Sequence, residues 1–228
     1  MFPHIKTGKR LRAETLLEVI VSVFVVALGS AAATSLVVSA LQTNALSRDN
    51  LIALNLATEG IEAMRNIRDS NWIKYAYDKE NCWNMKSDQD SCKDMYLISA
   101  SNYTLLLDTS TMRWKLGSVG GAGFALNLAS GASYNETYRL GFNDLDNTVN
   151  SDGQGDLDDD RDIFVPKGTS GVFEDSKFYR MIAVTYPTGD PTVDQYMTVT
   201  SVVQWKDRGT VHEIRIASIL SNYQKVKK

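Results

Sequence analysis

Between Glu18 and Arg48 the chain carries no charged side chain, a span of 29 residues. A bilayer core about 30 Å thick takes roughly 20 apolar residues of helix, so residues 19–41 are long enough to cross one. That run divides the chain into two different polymers. Residues 1–13 hold Lys6, Lys9, Arg10 and Arg12 and no acid. Basic flanks of this kind direct the N-terminus to the cytoplasm, which leaves everything after the span extracytoplasmic. Removing those four from the 24 basic residues leaves 20 against 27 acids, a net charge of −7. Phosphate binding needs clustered Lys and Arg, so an acidic body of this kind is expected to bind no nucleic acid. A secretory signal has a shorter apolar core, about 7–15 residues, and ends in a small-residue cleavage site. This segment is longer, and a carboxylate stands at its start.

That carboxylate, Glu18, has three readings. It can favour the positive end of the helix dipole, worth about 0.3–1 kcal/mol. Thr15 followed three residues later by Glu18 also fits a capping box. In the third, its counterion arrives from another chain. Two opposite charges about 4 Å apart attract by on the order of 4 kcal/mol at an effective dielectric near 20. Removing one partner of a buried pair costs roughly 3–5 kcal/mol, so an unpaired Glu18 in a dry interface would be penalised.

After the span the pattern turns amphipathic without a breaker. Leu54, Ala57, Ile61, Met64 and Ile67 recur at spacings of three and four, one face of a helix. Glu59, Glu62, Arg65 and Arg68 decorate the other sides. No proline occurs between Pro3 and Pro166, so one helix is expected from Glu14 to about Ser70. Gly29, Ala31, Ala32 and Ala33 are small enough for neighbouring helices to approach closely.

The stretch RAETLLEVIVSVFVVALGS, with its basic leader, resembles the N-terminus of type IV prepilins and type II secretion pseudopilins. Residues 54–72, LNLATEGIEAMRNIRDSNW, are similar to the second half of the first helix in minor pilins of the type IV pilus modification class. The closing VVQWKDRGTVHEIRIASILSNY has the cadence of that class's last strands. The resemblance implies cleavage by a prepilin peptidase between Ala13 and Glu14, with methylation of the new N-terminus. It also implies assembly through Glu18 with Thr15, Leu16 and Leu17. Ala13 stands where the family usually has Gly, and Glu14 where it usually has an apolar or aromatic residue. The implied fold is α+β and pilin-like, a long N-terminal helix packed on a C-terminal antiparallel sheet. Its parts are a leader (1–13), a membrane-spanning and assembly half of the helix (14–45), an amphipathic half (46–72), a variable loop-rich region (73–174) and the sheet (175–228). The implied partners are other pilin subunits, the peptidase, an inner-membrane assembly platform and the membrane. The implied location is the cytoplasmic membrane as a single-pass protein, then a fibre at the cell surface. The rival reading is an uncleaved, single-span anchor carrying an adhesive or ligand-binding domain.

The middle region holds both cysteines, Cys82 and Cys92. In an exported domain a pair so close in sequence reads as a disulfide, worth very roughly 2–3 kcal/mol by chain entropy. The glycine-rich run 117–135 lacks a P-loop lysine and a βαβ setting, and reads as loop around a short strand. Asp152, Asp156, Asp158, Asp160 and Asp162 crowd a second loop. Such a density of hard oxygens suits Ca²⁺, although the EF-hand glycine and closing Glu are missing; the other reading is a solvated acidic loop. No further cofactor is expected.

Three runs near the C-terminus, 178–186, 195–206 and 210–223, alternate as half-buried antiparallel strands do. Met197, Val199, Val203 and Trp205 share one face of the second, and Ile214, Ile216 and Leu220 one face of the third. Asp207-Arg208-Gly209 marks a tight hairpin. Nothing argues for an enzyme: His4 lies in the leader, His212 stands alone in a strand, and no base is placed to activate a serine.

Overall fold

The computed structural model describes residues 11–86, 92, 97–108, 113–118, 126, 138–143, 163–166 and 173–222. The chain divides into two compact units, the first ending at Asp49 and the second starting at Asn50. Helix α1, Leu11–Lys74, passes through both as 64 continuous residues. It begins earlier than expected because Leu11, Arg12, Ala13 and Glu14 are all good helix formers. In the first unit every described side chain from Leu16 to Asn44 is exposed, and from Leu16 on the helix is long and apolar enough to cross a membrane.

The second unit is α+β. A short helix α2, Lys79–Cys82, follows α1. Then come β1 (Ser101–Asp108), β2 (Arg113–Ser118), β3 (Arg139–Asn143), β4 (Ile163–Pro166), β5 (Phe173–Thr185), β6 (Tyr196–Asp207) and β7 (Thr210–Ser221). All seven belong to one antiparallel sheet organised on β5. On one side β5 pairs with β6, which pairs with β7. On its other side β3 takes the N-terminal part of the strand and β1 the C-terminal part. β2 then adds to β1, and β4 to β3. The three expected C-terminal strands are thus present as β5–β7. The region 73–174, expected to be loop-rich, also contributes β1–β4.

From Ala53 onward α1 buries one stripe against this sheet. Leu56 and Ala57 pack with Phe178, Val203 and Trp205. Farther along, Ile61, Met64 and Ile67 join Ile182, Val184, Val199 and Leu220. The expected stripe is right at Ala57, Ile61, Met64 and Ile67, but Leu54 is 44% exposed and Leu56 takes the core position. At 100° per residue the buried stripe through Ala53, Met64 and Ile67 has Leu56 about 50° from its axis and Leu54 about 110° from it. Gly60 lies where a Cβ would meet Ser201 Oγ at 2.4 Å and Ile182 Cδ1 at 2.9 Å. The missing side chain lets the helix backbone settle onto β5 and β6.

The back of the sheet is covered too. Tyr138, Tyr179, Met181, Val202 and Leu126 form a second layer, so β5 is buried on both faces rather than half-buried. At the end of α1, Asn71 Nδ2 donates to the carbonyls of Trp83 (3.2 Å) and Met85 (2.7 Å). Cys82 and Cys92 form a disulfide with Cα atoms 5.7 Å apart, the pairing expected from their spacing. Tyr75, Cys82, Met85 and Leu97 pack around it. The hydroxyl of Tyr186 donates to the Ile98 carbonyl at 2.7 Å and accepts from Asn84 Nδ2 at 3.2 Å. Burial holds that phenol far above its ordinary pKa, so it stays a donor at any pH the fold meets.

Candidate functional site

In the first unit an apolar helical surface is laid out around one carboxylate. Leu16 and Leu17 are 66% and 67% exposed, and Glu18 between them and Val19 is exposed as well. Val23, Phe24, Val25, Val26 and Leu28 continue the apolar surface. A helix this apolar on all sides belongs in lipid or against other apolar helices.

Four hydroxyls within it are satisfied locally. Ser22 Oγ donates to the carbonyl of Glu18 at 2.7 Å, Ser30 Oγ to Ala27 at 2.9 Å, and Thr34 Oγ1 to Ser30 at 2.8 Å. Thr43 Oγ1 does the same to Ser39 at 3.0 Å. Each hydroxyl returns its proton to the preceding turn, the arrangement by which such side chains are satisfied in a medium without water. Sequence reasoning missed this; the signal was a Ser or Thr inside a helix, where the carbonyl three or four residues earlier keeps a second lone pair. Among the described residues the Glu18 carboxylate has no hydrogen-bond or ion-pair partner.

Among the expected site residues, Glu18, Leu16 and Leu17 lie together on one exposed turn. Ala13, Glu14 and Thr15 are helical in backbone. Thr15 is therefore an interior helix residue, four positions past Leu11, and not the N-cap that a capping box requires. The helix has already begun, so that reading of Thr15 and Glu18 is withdrawn. Asp152, Asp156, Asp158, Asp160 and Asp162 lie outside the described residues. Among the described residues no group of three or more His, Cys, Asp or Glu stands close enough to hold a metal ion.

Two depressions lie among the described residues of the second unit. An open groove of about 420 Å³ runs beside α1, lined by Glu59, Glu62, Asn66, Asp69 and Trp114 among others. One wall is braced from inside: Arg180, 1% exposed, reaches Glu59 Oε1 at 3.2 Å and the Leu56 carbonyl at 3.3 Å, with Trp114 5.8 Å from its guanidinium. This buried arginine carried no sequence signal, since it stands in the alternating run between Phe178 and Ile182. A smaller recess of about 80 Å³ lies between α2 and the β5–β6 connection, near Trp83, Asp194 and Asn222. In that connection Asp194 Oδ2 accepts from the Thr188 amide and hydroxyl, both at 2.9 Å. Asp190 accepts from the hydroxyl and amide of Thr192, which hold its carboxyl below the ordinary range. These are turn contacts made within the loop, through one oxygen of each carboxylate. His212 stacks on Trp205, centroids 5.3 Å apart, and no nucleophile is recorded beside it.

No protein-family model, no characterised protein and no solved structure matches the chain.

Proposed function

We propose that this protein is a minor pilin or pseudopilin, a structural subunit of a type IV pilus-like or type II secretion fibre, and not an enzyme. The observation that carries the reading is the continuity of α1. One helix supplies an exposed apolar segment, which from Leu16 on has Glu18 as its one carboxylate, then becomes the core helix of an α+β body. In this reading residues 14–45 anchor the chain in the cytoplasmic membrane and later pack against other subunits in the fibre. Glu18 then finds its counterion on a neighbour, the α-amino group freed by cleavage after Ala13 and methylated in place. Leu16 and Leu17 flank the pair and keep water from it. A prepilin peptidase and an inner-membrane platform are the implied partners. Calcium in the 152–162 loop, if bound, would order that loop and supply no chemistry.

Mass spectrometry of the N-terminus tests processing: loss of 13 residues, with or without a methyl group, is expected. Glu18→Ala should insert in the membrane normally and fail to enter the fibre. Normal incorporation of that variant would refute the role given to Glu18.

The second reading is an uncleaved, single-span protein carrying an adhesive or ligand-binding body. What favours it is local: helical backbone already runs through the Ala13–Glu14 bond, and both residues depart from the family's usual pair. An intact leader on the protein isolated from membranes would select it.

A further inference from the structure

Strand β7 is held by β6 through twelve consecutive residue pairs without a register shift. Among the described residues its other side pairs with no strand. Natural edge strands are usually short, bulged, or guarded by Pro or Lys. β7 is 12 residues long and has neither residue.

The hairpin fixes which groups face the open side. Arg208 and Gly209, with φ of 47° and 87°, make a two-residue loop closed by the facing pair Asp207 and Thr210. Such a pair exchanges both hydrogen bonds, and the pattern alternates from there. The N–H and C=O groups of Val211, Glu213, Arg215, Ala217 and Ile219 therefore point outward, away from β6. Their side chains share the back face of the sheet. Ile214 and Ile216 lie half-buried on the front, packed at the margin of the core.

We infer that β7 is a self-pairing edge that takes the β7 of a second copy, antiparallel, with Ile214 on the two-fold axis. In that register Glu213 of each copy faces Arg215 of the other, and Val211 faces Ala217. All four facing pairs are of the hydrogen-bonded kind. On the front face Ile214 meets its own counterpart and Ile216 meets His212, extending the half-buried apolar margin. Moving the axis by one residue sets Arg215 against Arg215, or Glu213 against Glu213. Moving it by two abolishes the charge pairing. The Glu213–Arg215 contact within one strand is exchanged for two contacts between strands, and opposite charges directly across a sheet stabilise where like charges destabilise.

The inference is independent of the fibre reading and constrains geometry in its own way. Within the second unit α1 runs in the direction of β7, from Leu56 near Val203 to Trp72 near Met197 and Leu220. Paired copies thus carry these helix segments in opposite directions, so the contact joins copies of opposed orientation. Copies lying side by side in one direction leave it open.

The test uses the full chain in detergent, where orientation is free, with its native disulfide intact. Ile214→Cys should crosslink to itself under mild oxidation, whereas Ile219→Cys, which falls beyond the paired stretch, should not. In the Ile214→Cys background, Glu213→Arg or Arg215→Glu alone should lower the crosslinked fraction about tenfold. Mixing the two single-charge variants should restore it as a heterodimer, because each then faces its complement. A folding defect cannot produce that rescue. Absence of a crosslink at position 214, equal crosslinking at 219, or failure of the mixture to recover would each overturn the inference. So would crosslinking indifferent to these charges, the behaviour of association through the apolar helix alone.

Discussion

Glu213 is the residue at which charge and sheet register meet. It accepts from Arg215 and also contacts Gln204. The Arg215 hydrogen bond holds its carboxyl below the ordinary carboxylate range, against a partial loss of hydration that acts the other way. An acid whose folded pKa lies below its unfolded value adds stability above the unfolded pKa, about 4.3 for Glu. That stability disappears as pH falls through the folded value. Glu213→Gln should therefore lower stability at neutral pH and flatten the acid limb, its difference from wild type closing as pH falls below about 4.3. Denaturant midpoints measured across that range would check this, and an unaltered acid limb would contradict it. Strand alternation gave Glu213 an outward place in advance. Its ligation by Arg215 was open to sequence reasoning as well, since residues two apart share a strand face. Gly60 was different: a glycine inside a helix reads as a weak point, and only the facing Ser201 and Ile182 reveal why a side chain is excluded there.

At the scale of elements, the disulfide organises the turn that leaves α1. Closing the loop between Cys82 and Cys92, ten residues apart, should contribute about 2–3 kcal/mol by chain entropy. Its loss also exposes a cluster built on Tyr75, Met85 and Leu97. Cys82→Ser should lower the unfolding midpoint accordingly, and the reductant-treated wild type should match it; a variant as stable as wild type would exclude a structural role. The pairing was legible because only two cysteines exist. Strands β5–β7 were legible because apolar residues alternate over long stretches with a Gly-containing turn between. β1–β4 were not, because their apolar residues sit in short runs broken by glycine, serine and aspartate. Their strand character comes from pairing with distant β5, and local pattern cannot express that. The two-residue slip from the expected Leu54 to Leu56 has a similar origin. Both leucines suit a helix face, and the packed position of the sheet decides between them.

For the molecule as a whole, the apolar helix was the most legible part, since 29 residues without charge admit few alternatives. The hidden part was the sheet's branching. β5 carries β6 along one side and both β1 and β3 along the other. β2 and β4 each hang from a single neighbour. A strand committed in this way has no independent way to open. Its backbone amides release their hydrogens only when the entire assembly of strands lets go, whereas those of β2 and β4 are traded through local fraying. In heavy water, deuterium should enter β2, β4 and the outward-facing amides of β7 first and the central part of β5 last, so the body keeps a slow-exchanging spine even while its margins breathe.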